Sequence, residues 1–183
     1  MLGMVFTELI EMVERRFSPA LADSVLRAVP LSNDGAYTAV GYYPHEEILA
    51  LVGELSQRTG ITEAELVRGF GEHLMNRFTE LHPRMFTRHP DLFDFIASVD
   101  REVHIEVKKL YDQASLPRFT VISRDEHCLR MLYQSPRGMD ELALGLLQGA
   151  VGHYRSACII SRQPSADPQA PGTVFELRRE TRT

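Results

Sequence analysis

The sequence predicts an α+β fold, with a helical N-terminal part packed on a C-terminal part of antiparallel sheet and helices. Two observations carry this. Up to about residue 115 apolar residues recur at helical spacing, and from Arg118 onward the pattern breaks into short β-branched and aromatic segments. At 183 residues and 44% hydrophobic content, one domain with a real core is expected, spanning 1–183.

The elements follow in order. Residues 2–17 place Leu2, Val5, Phe6, Leu9, Ile10 and Val13 on one helix face. Ser18 reads as the N-cap of a second helix, with Pro19 at its first position. Residues 30–43 are turn-rich and predict a loop. A third helix runs from about Pro44 to Arg58 and stops at Gly60. Thr62 and Glu65 form a capping box for a fourth, over TEAELVRGFGEHLMNRFTELH. Gly69 and Gly71 inside it fit either close helix packing or close approach of a flat ligand. From about Asp91 a further helix is predicted to continue toward Pro117, with Phe93, Ile96, Ala97, Val107 and Tyr111 on roughly one side and His104 among them. RFTVIS, CLRMLYQ, SACIIS and TVFELRR read as four strands in two hairpins. Between the hairpins, MDELALGLLQGAVGHYR reads as a helix with Gly145, Gly149 and Gly152 near one face.

Composition excludes several functions. Net charge is −5, with 20 basic and 25 acidic residues interspersed, so no nucleic-acid partner is expected. No apolar stretch approaches the roughly 20 residues that span a bilayer, and MLGMVFTELIEMVERRF lacks the basic start and cleavage site of a signal peptide. Cys128 and Cys158 lie in predicted strands and read as buried and inert; two cysteines make no disulfide framework, which points to a cytoplasmic setting. The seven histidines form neither HExxH nor a zinc-type Cys/His set. GxSxG, a P-loop and the Rossmann glycines are all absent from the sequence.

Two features remain. His104 stands on a half-apolar helix face thirteen residues before Pro117, either as a hydrogen-bonded core residue or as an axial ligand. Tyr133, Ser135 and Arg137 alternate at a predicted strand end, where alternate side chains share a face. Two hydroxyls and a guanidinium trap carboxylates well; the other reading is a solvated strand end with Arg137 in a surface ion pair. Together they point to a buried ligand that needs a nitrogen on one side and charge compensation on the other.

The Y-x-S-x-R motif, its upstream histidine and its proline resemble the haem-nitric oxide/oxygen binding (H-NOX) domain, the sensor module also found in soluble guanylate cyclase. MLGMVF, YYPHEEILALVGELSQRTGI and LGLLQGAVGHY are similar as well, so the resemblance covers nearly the whole chain. It implies haem b buried between a distal helical part (about 1–60) and a haem-ligating α+β part (about 61–183). His104 is then the axial iron ligand. Tyr133, Ser135 and Arg137 hold the propionates, and Pro117 distorts the macrocycle. The distal positions that are polar in O₂ binders fall on Leu9, Leu74 and Leu142, which implies nitric oxide as ligand, CO as a second, and weak or no O₂ binding. The resemblance further implies that gas binding weakens the bond to His104, relaxes its helix and flattens the haem.

With no kinase or cyclase signature present, the output is expected in another protein, and the resemblance to bacterial stand-alone members implies a histidine kinase or a cyclic-di-GMP synthase or phosphodiesterase as partner. Some bacterial members carry a cysteine-rich zinc site; Met139 stands where one such cysteine would lie, so no zinc is expected. His45 stands where some members have an acidic residue near the motif arginine. The competing reading is a haem carrier or a haem-free interaction module of the same fold. A peroxidase-like enzyme would need a distal acid or base, which the three leucines do not offer.

Overall fold

The computed structural model describes residues 1–180. The helices are α1 (Gly3–Arg16), α2 (Pro19–Ala28), α3 (His45–Thr59), α4 (Glu63–Leu81), α5 (Pro83–Thr87), α6 (Leu92–Ser98), α7 (Val103–Leu110) and α8 (Asp140–His153). The strands β1 (Arg118–Arg124), β2 (Cys128–Gln134), β3 (Cys158–Pro164) and β4 (Thr173–Arg179) form one antiparallel sheet in the order β1-β2-β4-β3. The α+β class expected from the sequence is the class observed.

Local chemistry sets several helix ends. The Ser18 side chain accepts from the Leu21 amide at 3.1 Å. Thr62 and Glu65 make the reciprocal capping box. Gly60 ends α3 at φ 71°, a left-handed conformation that suits glycine. α1 has no side-chain cap; its first amides, on Gly3 and Met4, donate to Gly41 O and Ala39 O at 2.7 and 2.9 Å. The loop 30–43 therefore acts as the cap of α1. It is pinned in turn by the buried Glu47, which accepts from the Tyr37 hydroxyl at 2.6 Å and the Ser32 amide at 3.0 Å.

The cores divide in two. Phe6, Leu9, Ile48, Leu55, Phe70 and Leu74 centre the first, among α1–α4. Phe93, Leu129, Met131, Ala150, Phe175 and Leu177 centre the second, between the sheet and α6 and α8. Phe78 and Leu146 pack against both. α4 and α8 join the two by backbone contact. A Cβ on Gly71 would overlap Leu142 O, one on Gly145 would overlap Arg68 O, and one on Gly149 would lie 2.7 Å from Met75 Cβ. Close helix packing therefore accounts for Gly71. Gly69 instead faces Arg16, and Gly152 has open space.

The long helix expected from Asp91 onward is two helices. Asp91 does begin α6, its carboxylate accepting from the Phe93 and Asp94 amides at 2.9 and 3.3 Å. The chain then turns tightly: the Arg101 and Glu102 amides both donate to Ser98 O, and the His104 amide reaches back to Val99 O. Asp100 sits at this break because its side chain is engaged by other parts of the fold, described below. Tertiary hydrogen bonds here override an unbroken helical period. α5 is a further helical turn that the sequence reading did not separate. The cysteines also differ from expectation, since both are half-exposed free thiols; burial pushes the Cys158 thiol up.

Asp91 also pairs with Arg179, whose guanidinium lies 4.3 Å over the Phe93 ring. Burial pulls the Asp91 carboxyl upward, but Arg179 and the two amides outweigh it, and its pKa lies below the ordinary value. A depressed folded pKa adds stability above the unfolded value and loses it as pH falls through the folded one. Asp91→Ala should cost about 1 kcal/mol at pH 7. Its difference from wild type should shrink below a pH of about 4. Urea unfolding at pH 7 and pH 3 checks both points.

Candidate functional site

His104 lies in the first turn of α7, its side chain 14% exposed. Its Nδ1 is 3.3 Å from Asp100 Oδ1. A carboxylate can only accept, so Nδ1 carries the proton and the Nε2 lone pair is left for a ligand. Burial lowers the His104 pKa, with Asp100 opposing. The imidazole is therefore neutral near pH 7, the form that binds metals. α7 itself is thinly held. Among the described residues it shares no more than marginal contact with any other element, and Ile105 is 48% exposed.

Asp100 Oδ1 also accepts from the Phe119 amide at 3.2 Å. The Phe119 ring lies 5.9 Å from the His104 ring and 5.2 Å from that of Tyr133. The histidine is thereby connected to β1 and to the end of β2.

The Tyr133-x-Ser135-x-Arg137 motif is built differently from the extended strand end the sequence suggests. β2 stops at Gln134, and the Ser135 and Arg137 positions belong to the turn that leads into α8. Tyr133 is the last core-facing residue of β2, paired with Phe119 on one side and Thr173 on the other. Its buried hydroxyl donates to Met139 O at 3.2 Å, and burial raises its pKa. Ser135 Oγ accepts from the Arg137 amide at 3.2 Å. Arg137 Nη1 donates to Ser115 O at 2.7 Å, and among the described residues no carboxylate lies within ion-pair distance of it. His45, at the position in question for pairing with Arg137, instead approaches Glu46 at 3.2 Å. A guanidinium oriented by a carbonyl keeps donors and a full charge for an anionic ligand. Pro117 is half-buried, two residues after Ser115 and directly before β1.

Leu9 and Leu74 are each 3% exposed, and Leu142 and the buried Met139 pack into the same cluster. Three helices thus bring the three leucines to one apolar wall. Sequence reasoning missed the buried charge beside it. Glu8, 6% exposed, lies 3.1 Å from His73 Nε2 and 3.0 Å from Arg77 Nε, clamping α1 to α4 one residue away from Leu9 and Leu74. A glutamate on the apolar face of the first helix was the available signal. The i, i+4 spacing of Asp100 and His104 was the signal for Asp100.

One neutral imidazole, one uncompensated cation and an apolar wall are a set that can bind and orient a ligand, and nothing among them is arranged as a nucleophile with its base. The donor set fits haem: a nitrogen for iron, a cation with the Ser135 hydroxyl for carboxylates, and apolar side chains for a macrocycle, the Tyr133 proton being held by Met139 O in this structure. Comparison with known proteins agrees. A family model described as Haem-NO-binding matches residues 2–162. The H-NOX protein of Shewanella woodyi, solved in its Fe(II)CO state with IWP-051 bound, is 38% identical, with a TM-score of 0.84 over 98% of this chain and 95% of that one. The Fe(II) unliganded H-NOX protein of K. algicida is 28% identical, with a TM-score of 0.91 over 100% of this chain and 98% of that one. A mutant H-NOX protein from S. oneidensis, solved in the Fe(II) ligation state, is 25% identical, with a TM-score of 0.88 over 99% of this chain and 97% of that one. No curated protein matches.

The class so defined is a haem-based gas-sensor domain, a non-enzymatic one. The chain belongs to the haem-NO-binding, or H-NOX, family. Among the described residues, no helix is long and apolar enough to cross a membrane.

Proposed function

We propose that this domain senses nitric oxide on haem b and passes the signal to a separate effector protein, a histidine kinase or a cyclic-di-GMP synthase or phosphodiesterase. The single observation that carries the choice of gas is the apolar wall of Leu9, Leu74 and Leu142. Bound O₂ takes on negative charge and needs a hydrogen-bond donor near it, whereas NO binds without one; distal polarity is the lever that separates them. CO is the second ligand expected, and O₂ the weak one.

In this reading residues 1–183 form one domain, the distal helices at about 1–60 covering one side of the ring and the part from about 61 onward ligating it. Haem, when bound, would supply the ferrous iron that takes up the gas. The chain does the rest. His104 Nε2 offers the axial nitrogen, and its neutral state needs no deprotonation before binding. Arg137 compensates the propionate charge, with the Ser135 and Tyr133 hydroxyls beside it. Pro117, directly before β1, would lie against the ring and help to distort it. The leucines exclude water from the gas side. α7, thinly packed, shifts at low cost, as elements that move in signalling do. The signal requires that NO favour one position of α7 over the other by a free-energy difference, which a partner then reads.

The test is an absorption spectrum of the purified ferrous protein under argon, with NO and in air, repeated on a Ser135→Ala/Arg137→Ala variant. A Soret band that moves with NO and gives no stable oxy spectrum is expected, with haem lost at least tenfold faster from the variant. A stable oxy complex overturns the choice of gas. Unchanged haem retention in the variant makes the strand-end motif structural. No Soret band after haem is added moves the protein to a haem-free interaction module.

A further inference from the structure

Asp100 occupies the break between α6 and α7, and one of its oxygens serves two elements. Oδ1 lies 3.3 Å from His104 Nδ1 and 3.2 Å from the Phe119 amide nitrogen. The first contact fixes which imidazole nitrogen is protonated and the plane of the ring; carboxylates behind ligating histidines act this way. The second ties the same carboxylate to the start of β1. From Phe119 the path runs by ring contact to Tyr133, at 5.2 Å. Val103 packs α7 against the second core cluster, and this carboxylate adds a hydrogen-bonded link from His104 to β1.

We propose that Asp100 is a positioning residue for His104 that couples α7 to the sheet. It rests on the reading of His104 as the axial ligand. Held by Asp100, the imidazole presents Nε2 in one tautomer and one orientation. When α7 shifts, the shared oxygen must lengthen its bond to His104 or to the Phe119 amide. Movement of the ligand helix therefore reaches β1 and the Tyr133 end of β2. Among the described residues the other charge acting on His104 is Lys108, one turn further along α7.

The experiment mixes His104→Gly protein with haem over a range of imidazole or 1-methylimidazole concentrations and reads haem uptake by the Soret band. Imidazole keeps an N–H for Asp100; 1-methylimidazole does not. Imidazole should bind about tenfold tighter, and adding Asp100→Ala should bring the ratio to about one, the size expected for a hydrogen bond to a charged acceptor. A ratio of one with Asp100 in place overturns the proposal. In the otherwise unaltered holoprotein, Asp100→Asn should lower the iron–histidine stretching frequency seen by resonance Raman, and an unchanged frequency overturns it too. Exchange of the Phe119 amide should respond to NO in the wild type and not in Asp100→Ala; the same response in both rejects the coupling. A wild-type chain that takes up no haem overturns the parent reading. Failure confined to the Asp100 comparisons leaves that reading in place.

Discussion

His104→Gly should abolish stable haem retention, and added imidazole should restore it. Without the axial nitrogen the ring keeps only apolar burial and its carboxylate contacts. Loss of an outer partner of a metal ligand already costs 10–100-fold in affinity, so loss of the ligand itself should exceed about a hundredfold. The fold should survive, because His104 lies on a thinly packed helix and glycine there costs only about 1 kcal/mol. The measurement is Soret absorbance per mole of protein after gel filtration, with and without imidazole. Normal retention in the variant would assign the iron to another residue. Retention lost together with the far-ultraviolet helix signal would mean that His104 holds the fold.

Gly145→Ala should be among the most damaging small substitutions in the protein. The added methyl would overlap Arg68 O and sit 2.9 Å from Gly71 Cα. These are backbone atoms of another helix, so no rotamer change relieves the clash, and α4 and α8 must separate. Overpacking of this kind costs up to about 3 kcal/mol, or roughly 6–12 °C in Tm at this chain length. Gly152→Ala is the control: a methyl there meets nothing within 4 Å. It should be neutral or slightly stabilising, since alanine is the better helix former. Thermal unfolding of the two variants separates these outcomes, and equal effects would show that the α4–α8 seam is not tight. The same separation would displace Leu142 from Leu74, because each stands on one of these helices.

Much of the architecture was legible because its signals are local. Ser18, Thr62 with Glu65, Gly60 and Asp91 act within a few residues of themselves, and each does in the structure what its type and place imply. CLRMLYQ and TVFELRR coincide with β2 and β4, because these are the central strands and their burial enforces the pattern. The Leu9, Leu74 and Leu142 wall was legible through resemblance; spacing alone could not have joined three separate helices.

What failed to read was set by partners distant in sequence. The α6–α7 break depends on Phe119, nineteen residues beyond Asp100. The clamp on Glu8 comes from His73 and Arg77, on another helix. The turn at Ser135 and Arg137 is held partly by Ser115, twenty-two residues upstream of the arginine. Gly71 was ambiguous until α8 lay against it.

By itself, then, the sequence determined the class of fold, the order of nearly all the elements and the family, and it named the side chains proposed to carry the chemistry. These rest on periodicity, capping and motif, which are properties of neighbours along the chain. Tertiary structure alone decided where the helix before His104 breaks, which nitrogen of that imidazole is free, what orients Arg137 and why Gly145 must be glycine. Each of those is an alignment of groups far apart in sequence, and hydrogen bonds and van der Waals overlap are settled at the scale of ångströms in space.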